Sequence, residues 1–244
     1  TTVVLVDTDE GLTGVGECCP LGPTYLPAYA HGVRAGIAQL APHLIDKDPT
    51  QLDRINHLMD TQLKGHPYVK SAIDMACWDI LGKATGLPVY VLLGGKLQEK
   101  VTLYKVVSRA DPNAMAERIP EYRDKGFHQF QVKVGEDPST DIIRIHRVAE
   151  EMEAGEVLNA DANTGWKQHE ALQVAHGIAD IGKQTGIRLT FEQPCLSYHE
   201  CLAVRQHTNL PFVLDECMDS INALLQAQHD HAMDMINLKI SRFG

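Results

Sequence analysis

Three features that would each indicate a particular class of protein are missing from this sequence. No uninterrupted apolar run approaches the length that is needed to span a membrane. The formal charge is −10, from 22 Lys and Arg against 32 Asp and Glu, so there is no basic surplus for binding a nucleic acid. No Gly-x-Gly-x-x-Gly motif follows a predicted strand, which disfavours a dinucleotide-binding fold. We therefore expect neither a membrane nor a nucleic acid as a partner.

Paired cysteines are also missing, although the chain contains 6 Cys. None of them shows the Cys-x-x-Cys spacing that is typical of zinc sites. Cys77 lies in an apolar helical stretch and is interpreted as a small core residue. Unpaired thiols are typical of reducing compartments, so we expect a cytoplasmic protein.

The first hundred residues differ in pattern from the rest. Two short predicted strands are joined by a turn at Asp9–Gly11, and three helical stretches follow, near residues 28–43, 50–64 and 68–84. Two strands followed by a cluster of helices predict a small α+β domain over residues 1–98. Over residues 99–244 strands and helices alternate in units of about 25–30 residues, which predicts a parallel sheet.

Strand alternation favours a barrel over an open sheet in this second domain. The predicted strands have one apolar face and one largely polar face; they cover residues 101–107, 128–134, 156–161, 187–192, 211–216 and 234–240. Strands of an open doubly wound sheet are covered on both faces and tend to be apolar throughout. We therefore predict an α/β protein in which the α+β domain precedes a (β/α) barrel of the TIM type. About six βα units are visible where a closed barrel has eight, so the barrel is expected to be incomplete.

Five consecutive strands end with an ionisable residue on the polar face: Lys133, Asp161, Glu192, Asp215 and Lys239. One such residue would be typical of a turn or a helix cap, but five in register favour a site at the rim where barrel enzymes carry out catalysis. Three neighbouring carboxylates repel unless a cation joins them, and Mg²⁺ is the natural partner for oxygen ligands. The two lysines flank the carboxylates and could act as general base and general acid. Glu216 falls on the opposite face of its strand. It is interpreted either as a residue that contacts the site residues without touching the substrate or as a packing residue.

The ordered motifs "VKVG", "DANTGW", "FEQP", "LDE" and "NLKIS" resemble successive strand ends of the enolase superfamily, in its muconate lactonizing enzyme subgroup. "SAIDMACWDILGKATGLPVYVLLGG" resembles the link between that subgroup's capping domain and its barrel. The resemblance implies that the three carboxylates bind Mg²⁺ and that Lys133 and Lys239 are the acid/base pair. It also implies abstraction of the proton α to a carboxylate, with the enolate held on Mg²⁺.

In the first domain, "PLGPTYLPAYAHGVRAGIAQLAPHLI" and "DRINHLMDTQLKGHPYVKSAID" resemble enzymes that act on proline derivatives, the cis-3-hydroxy-L-proline dehydratases in particular. This resemblance implies a loop at about Glu17–Tyr25 that closes over the substrate, with Tyr25 either touching the substrate or packing at a domain interface. Gln131 and Asn163 are further substrate-binding candidates. Gln131 stands where the subgroup usually has the first Lys of Lys-x-Lys, and this departure weakens the assignment of Lys133 as the base.

Dehydration of cis-3-hydroxy-L-proline or a related proline derivative is the leading hypothesis for the function. A muconate-type cycloisomerase or an amino-acid racemase or epimerase would share its first step. A non-catalytic binding protein that retains the fold is the alternative from another class. We further expect a homo-oligomer that acts on a small-molecule carboxylate. Relative to the family the sequence is expected to be a fragment, without the first strand of the capping domain and the last two strands of the barrel.

Overall fold

The computed structural model describes residues 1–243, which form two compact units. The first unit contains Thr1–Glu99 and the segment that begins at Lys239. The second unit contains Lys100–Leu238. None of the helices within residues 1–243 combines the length and the apolar character that a membrane crossing requires.

Residues 1–99 of the first unit contain a two-stranded antiparallel sheet and four helices. Strands β1 (Thr2–Asp7) and β2 (Thr13–Cys18) pair along their whole lengths. The helices are α1 (Ala30–Leu44), α2 (Leu52–Gln62), α3 (Pro67–Thr85) and the short α4 (Val89–Leu92). These bounds agree with the two strands and three main helices that the sequence predicts.

Two glycines let β2 lie directly on the backbone of α3. A Cβ atom on Gly16 would lie 1.8 Å from the carbonyl oxygen of Ala72, and one on Gly14 would lie 2.1 Å from that of Ala76. Only glycine permits such an approach. Helix α3 is buried along most of its length, and its Cys77 is 3% exposed, which confirms the interpretation of this thiol as a core residue.

The second unit is built on a six-stranded parallel sheet in which each strand pairs with the next along the chain. The strands are β3 (Lys105–Val107), β4 (Gln129–Lys133), β5 (Val157–Asp161), β6 (Arg188–Glu192), β7 (Phe212–Leu214) and β8 (Met235–Ile236). The helices between them are α5 (Pro112–Ala116), α6 (Arg118–Arg123), α7 (Pro138–Glu150), α8 (Gln168–Ile178), α9 (Ile181–Thr185), α10 (Tyr198–Arg205) and α11 (Ile221–His229). This architecture confirms the predicted α/β class. In the described part of the chain, the pairing runs from β3 to β8 without a pair between those two strands.

The predicted boundaries fail at the two outermost strands of this sheet. Strand β3 is confined to Lys105–Val107, and β8 ends at Ile236. The prediction that Lys239 lies on a strand is therefore wrong. Both strands pair with a neighbour on one side only. Fewer backbone hydrogen bonds therefore hold the residues beyond their ends in an extended conformation. Lys239 directly precedes a last short helix, α12 (Ile240–Phe243), which packs on α3 in the first unit.

The first helical stretch of the sheet domain is interrupted. Asp111 caps its start, because the Asp111 side chain accepts hydrogen bonds from the backbone N–H groups of Asn113 and Ala114. The helix then divides at Glu117 into α5 and α6. Pro120 explains the division, since it has no N–H to donate to the carbonyl four residues earlier.

The apolar face of the sheet packs against the helices and forms the core of the second unit. Phe130, Leu158 and Phe191 are fully buried on this face. The rings of Trp166 and Phe191 stack with centroids 5.6 Å apart, and Phe191 meets Phe212 edge-on at 5.9 Å. The opposite face of the same strands is polar, and its side chains form the cluster described next.

Candidate active site

The polar side chains of neighbouring strands meet at the carboxyl ends of β4, β5 and β6. Lys133, Asp161 and Glu192 are the last residues of these strands and lie in register with one another. Asp215 directly follows β7, and its backbone N–H is held by the side chain of Gln193 at 2.7 Å. Asp161, Glu192 and Asp215 are each 1% exposed, so three carboxylates are buried within one region.

Asp161 accepts three hydrogen bonds. Its Oδ2 accepts hydrogen bonds from Lys133 Nζ at 2.5 Å and from Gln131 Nε2 at 3.0 Å. Its Oδ1 accepts one from the backbone N–H of Asn163 at 2.8 Å. Burial, reinforced by the charge of Glu192, raises the pKa of Asp161 to about 7, and the ammonium of Lys133 opposes this shift.

Two side-chain amides bridge the carboxylates. Gln131 Nε2 donates to Asp161 and, at 3.0 Å, to Glu192 Oε2. Asn237 Nδ2 donates to Glu192 Oε1 at 2.9 Å and to Asp215 Oδ2 at 3.3 Å. Asn159 also donates to Glu192 Oε2. Oxygens of neighbouring carboxylates therefore face common points, each of which is occupied by an amide nitrogen.

Asn163 connects the lysine to the far side of the cluster. Its Oδ1 accepts from Lys133 Nζ at 2.9 Å, and its Nδ2 donates to Glu216 Oε1 at 2.9 Å. Glu216 is 7% exposed and lies beyond the end of β7 at Leu214, where strand alternation no longer determines its direction. It thus contacts the site through Asn163.

Sequence reasoning missed three contributors to this region. Asn159 and Asn237 lie at polar-face positions of the predicted strands, but neither side chain is ionisable. A pattern of ionisable strand ends therefore does not include them. Asp141 lies in α7 and is fully buried. Its Oδ2 accepts from the backbone N–H groups of Gly135 and Glu136, in the loop that follows Lys133. No pattern of the sequence distinguishes Asp141 from a solvent-facing helical carboxylate.

The three carboxylates are not arranged around one common point at which a cation could bind. Across residues 1–243, no group of three or more His, Cys, Asp or Glu side chains is arranged to hold a metal ion. The amides of Gln131 and Asn237 and the ammonium of Lys133 take the carboxylate oxygens instead. The available donors are nonetheless hard oxygens, the kind that Mg²⁺ prefers.

Two other predicted site residues, Tyr25 and Lys239, belong to the first unit. Tyr25 is half-buried in the loop after β2, and Lys239 is half-buried directly before α12. Both make interactions with neighbouring groups. Their roles in binding substrate and in acid/base chemistry stay predictions.

Comparison with known proteins places the chain in a family. Residues 114–244 match the model of the enolase C-terminal domain-like family, and residues 1–94 match the N-terminal domain of mandelate racemase / muconate lactonizing enzyme. The sequence is 51% identical to a cis-3-hydroxy-L-proline dehydratase of Roseibium aggregatum, over 100% of this chain and 65% of that protein. It is 31% identical to an N-succinyl-L-Arg/Lys racemase of Bacillus cereus, over 99% of this chain and 65% of that protein.

A solved structure gives the same result. A member of the enolase superfamily from Roseovarius nubinhibens, crystallised in complex with magnesium, superposes with a TM-score of 0.89 at 41% identity. The match covers 98% of this chain and 64% of that one, so the chain spans a little under two thirds of the relatives it matches. The chain belongs to the mandelate racemase/muconate lactonizing enzyme family of the enolase superfamily.

Proposed function

We propose that this protein is a Mg²⁺-dependent enzyme that removes the proton α to a carboxylate, with dehydration of cis-3-hydroxy-L-proline or a related proline derivative as its reaction. The observation that carries the proposal is the chain of amide bridges from Asp161 through Glu192 to Asp215. It places the three buried carboxylates side by side, with each joined to the next through one amide nitrogen. The 51% identity to a dehydratase of this substrate supports the choice of reaction.

The chemistry of the carboxylates supports a divalent cation as their partner. Three neighbouring carboxylates that are each 1% exposed need nearby positive charge if all are to remain ionised, and the ammonium of Lys133 supplies it to Asp161 at 2.5 Å. On this proposal, Asp161, Glu192 and Asp215 hold Mg²⁺ once the amides of Gln131 and Asn237 rotate away. Bound Mg²⁺ would supply the positive charge that stabilises a substrate carboxylate as its α-proton is removed.

Lys133 is the proton acceptor in this proposal. Asp161 and Asn163 fix its nitrogen from two sides, and its side chain is 30% exposed, so the nitrogen is both positioned and accessible. It would accept the α-proton as the neutral amine and become the ammonium. Lys239 would hold or deliver the second proton, at the leaving hydroxyl of the substrate. Gln131, Asn163 and Tyr25 would orient the substrate, with Glu216 holding Asn163 in place. We also propose a cytoplasmic homo-oligomer.

Racemisation is the second candidate, because a racemase of N-succinyl-Arg/Lys is 31% identical over nearly the whole chain. Both reactions begin with loss of the α-proton and differ in whether water then leaves. Proton NMR of the purified full-length protein with cis-3-hydroxy-L-proline in D₂O separates them. Dehydration consumes the substrate with loss of its hydroxyl, whereas racemisation exchanges the α-proton and retains the hydroxyl.

Activity should require Mg²⁺, disappear with a chelator and disappear in Lys133→Met. Lys183→Met is the matched control, because Lys183 lies on the surface of α9 with 84% of its side chain exposed. Turnover that survives in Lys133→Met would remove this lysine from the mechanism. Failure of every proline derivative and every N-acylated amino acid to exchange its α-proton would overturn the enzymatic proposal.

Metal binding is tested separately by calorimetric titration with Mg²⁺. Asp161→Asn, Glu192→Gln and Asp215→Asn should each weaken binding at least about tenfold, because each removes a charged oxygen ligand. Asp180→Asn should bind Mg²⁺ like the wild type, since Asp180 is a 68% exposed surface residue. Unchanged binding in all three site variants would disprove the ligand assignment.

A further inference from the structure

Three cysteines contact the side chain of Gln193, the residue that follows Glu192: two through their sulfurs and one through its backbone carbonyl. Gln193 Nε2 donates to the carbonyl oxygen of Cys195 at 3.0 Å and lies 3.5 Å from the sulfur of Cys201. Gln193 Oε1 accepts from the backbone N–H of Asp215 at 2.7 Å, and the thiol of Cys217 lies 3.4 Å from the same oxygen. One amide thus contacts two thiols and holds the backbone at Asp215.

Two of the three cysteines contact the same amide group through their sulfurs. The Cys201 sulfur lies 3.5 Å from Gln193 Nε2, and the Cys217 sulfur lies 3.4 Å from Gln193 Oε1. The Cys201 sulfur also lies 3.4 Å from the carbonyl oxygen of Cys195. Cys195 and Cys201 are fully buried, whereas Cys217 is partly exposed, and all three are free thiols. A small oxidant in solution therefore meets Cys217 first, and the Cys201 sulfur lies at the other end of the same amide group.

We propose that Cys217 and Cys201 are a peroxide-sensitive thiol pair whose disulfide loosens the Asp215 side of the candidate metal site. Hydrogen peroxide oxidises the Cys217 thiol to a sulfenic acid and is itself reduced, releasing one water. The Cys201 sulfur then attacks the sulfenic sulfur, an S–S bond forms, and the hydroxyl leaves with the Cys201 proton as a second water. A dithiol reductant reverses the reaction by thiol–disulfide exchange.

The consequence for the site follows from the position of Gln193. A disulfide requires an S–S distance of about 2.0 Å, so the two sulfurs must move together and disturb their contacts with the amide between them. Gln193 is held in the left-handed region, with φ of +34°, and its backbone N–H donates to the carbonyl of Val213 at 2.9 Å. A displaced Gln193 side chain releases the backbone N–H of Asp215. The inferred loss of metal affinity rests on the proposed role of Asp215, but the disulfide itself does not.

Peptide mapping of the purified full-length protein after treatment with hydrogen peroxide tests the pair. We expect a single intramolecular Cys201–Cys217 linkage, a mass loss of two hydrogens and complete reversal by dithiothreitol. Cys201→Ser should prevent the linkage and leave Cys217 as a sulfenic or sulfinic acid. Cys19→Ser is the matched control, because Cys19 is an exposed thiol of the other unit, and the linkage should form in it as in the wild type. Oxidation of Cys19 without any Cys201–Cys217 linkage would overturn the proposal.

Two further measurements follow the consequence of the linkage. Amide hydrogen exchange should become faster at Asp215 and Cys217 in the disulfide form, and this readout needs no metal. The affinity for Mg²⁺ should fall by about tenfold or more in the oxidised wild type and not in peroxide-treated Cys201→Ser. A disulfide that forms while amide exchange at Asp215 stays unchanged would refute the loosening. If the reduced protein binds no Mg²⁺, the proposed function fails while the linkage and exchange results stand by themselves.

Discussion

Gly135 and Gly165 lie so close together that a Cβ atom on Gly165 would be 2.3 Å from the carbonyl oxygen of Gly135. The first belongs to the loop that follows Lys133, and the second to the loop that follows Asp161. A second contact between the same loops is equally tight, since a Cβ atom on Gly135 would lie 2.3 Å from the carbonyl oxygen of Ala162. The loops that follow the candidate base and a candidate metal ligand are therefore packed backbone against backbone.

Gly165→Ala should destabilise the protein, because the new methyl group meets a backbone atom that cannot rotate away. We expect a loss of about 1–3 kcal/mol in the free energy of unfolding, measured by urea denaturation. Gly182→Ala is the control, since its Cβ would lie 3.2 Å from the nearest atom, the carbonyl oxygen of Ile187, and it lies within helix α9. Equal stability of the two variants would mean that the loops can separate at no cost.

Gln131→Leu should destabilise the metal-free protein. Gln131 is 3% exposed and donates to both Asp161 and Glu192, so its loss removes one donor from each of two buried carboxylates. A hydrogen bond to a charged group contributes about 1.5–3 kcal/mol, and we expect a loss in that range by urea denaturation in the presence of a chelator. Gln129→Leu, two residues earlier on the same strand and only half-buried, should change stability by less. A larger loss in Gln129→Leu would contradict the bridging role.

Alternation along strands accounts for the part of the cluster that the sequence could predict. Strands β4, β5 and β6 have five residues each and pair in register, so counting by twos puts Lys133, Asp161 and Glu192 together. The same count fails for Lys239, because β8 contains only two residues and the chain beyond Ile236 is not extended in a ladder. Strand alternation predicts the direction of a side chain only where hydrogen bonds to a neighbouring strand keep the backbone extended.

Side chains from loops and helix starts could not be predicted in this way. The direction of Gln193 depends on a left-handed backbone conformation that a non-glycine residue rarely adopts, and no local pattern signals it. Asp141 reaches the loop after Lys133 from the first turn of α7, where an acidic residue is commonplace. Its role depends on the two loops that it joins, which only the folded chain brings together.

Asp141→Asn should cost about 3 kcal/mol or more of folding free energy. Asp141 is fully buried, and its carboxylate accepts from two backbone N–H groups, from Trp166 Nε1 at 3.2 Å and from Arg144 at 2.7 Å. Replacing it with an amide leaves Arg144 without a buried counter-ion and supplies one acceptor oxygen where two were used. Asp137→Asn, at the exposed N-cap of the same helix, should cost far less, because Asn is also a good cap. Comparable losses in the two variants, by thermal and urea unfolding, would contradict this account.

The stability of the metal-free protein should fall as the pH rises from about 4 towards 7. Burial and the charge of Glu192 raise the pKa of Asp161 from 3.8 to about 7 in the folded state. Between these values the folded protein retains a proton that the unfolded chain releases, so each step up in pH favours unfolding. One such proton corresponds to a slope of at most about 1.4 kcal/mol per pH unit, and the slope disappears above the folded-state pKa.

Asp161→Asn isolates this contribution, because the amide does not titrate. We expect the difference in unfolding free energy between the wild type and Asp161→Asn to change with pH between 5 and 7 in a chelating buffer. The carboxylates whose pKa values are lowered, such as Asp79 and Glu156, titrate below this range and are common to both proteins, so they do not contribute. Saturating Mg²⁺ should flatten the wild-type profile, since a bound cation takes the place of the proton. A parallel pH dependence of the two proteins would show that Asp161 is already ionised at pH 5 in the folded state.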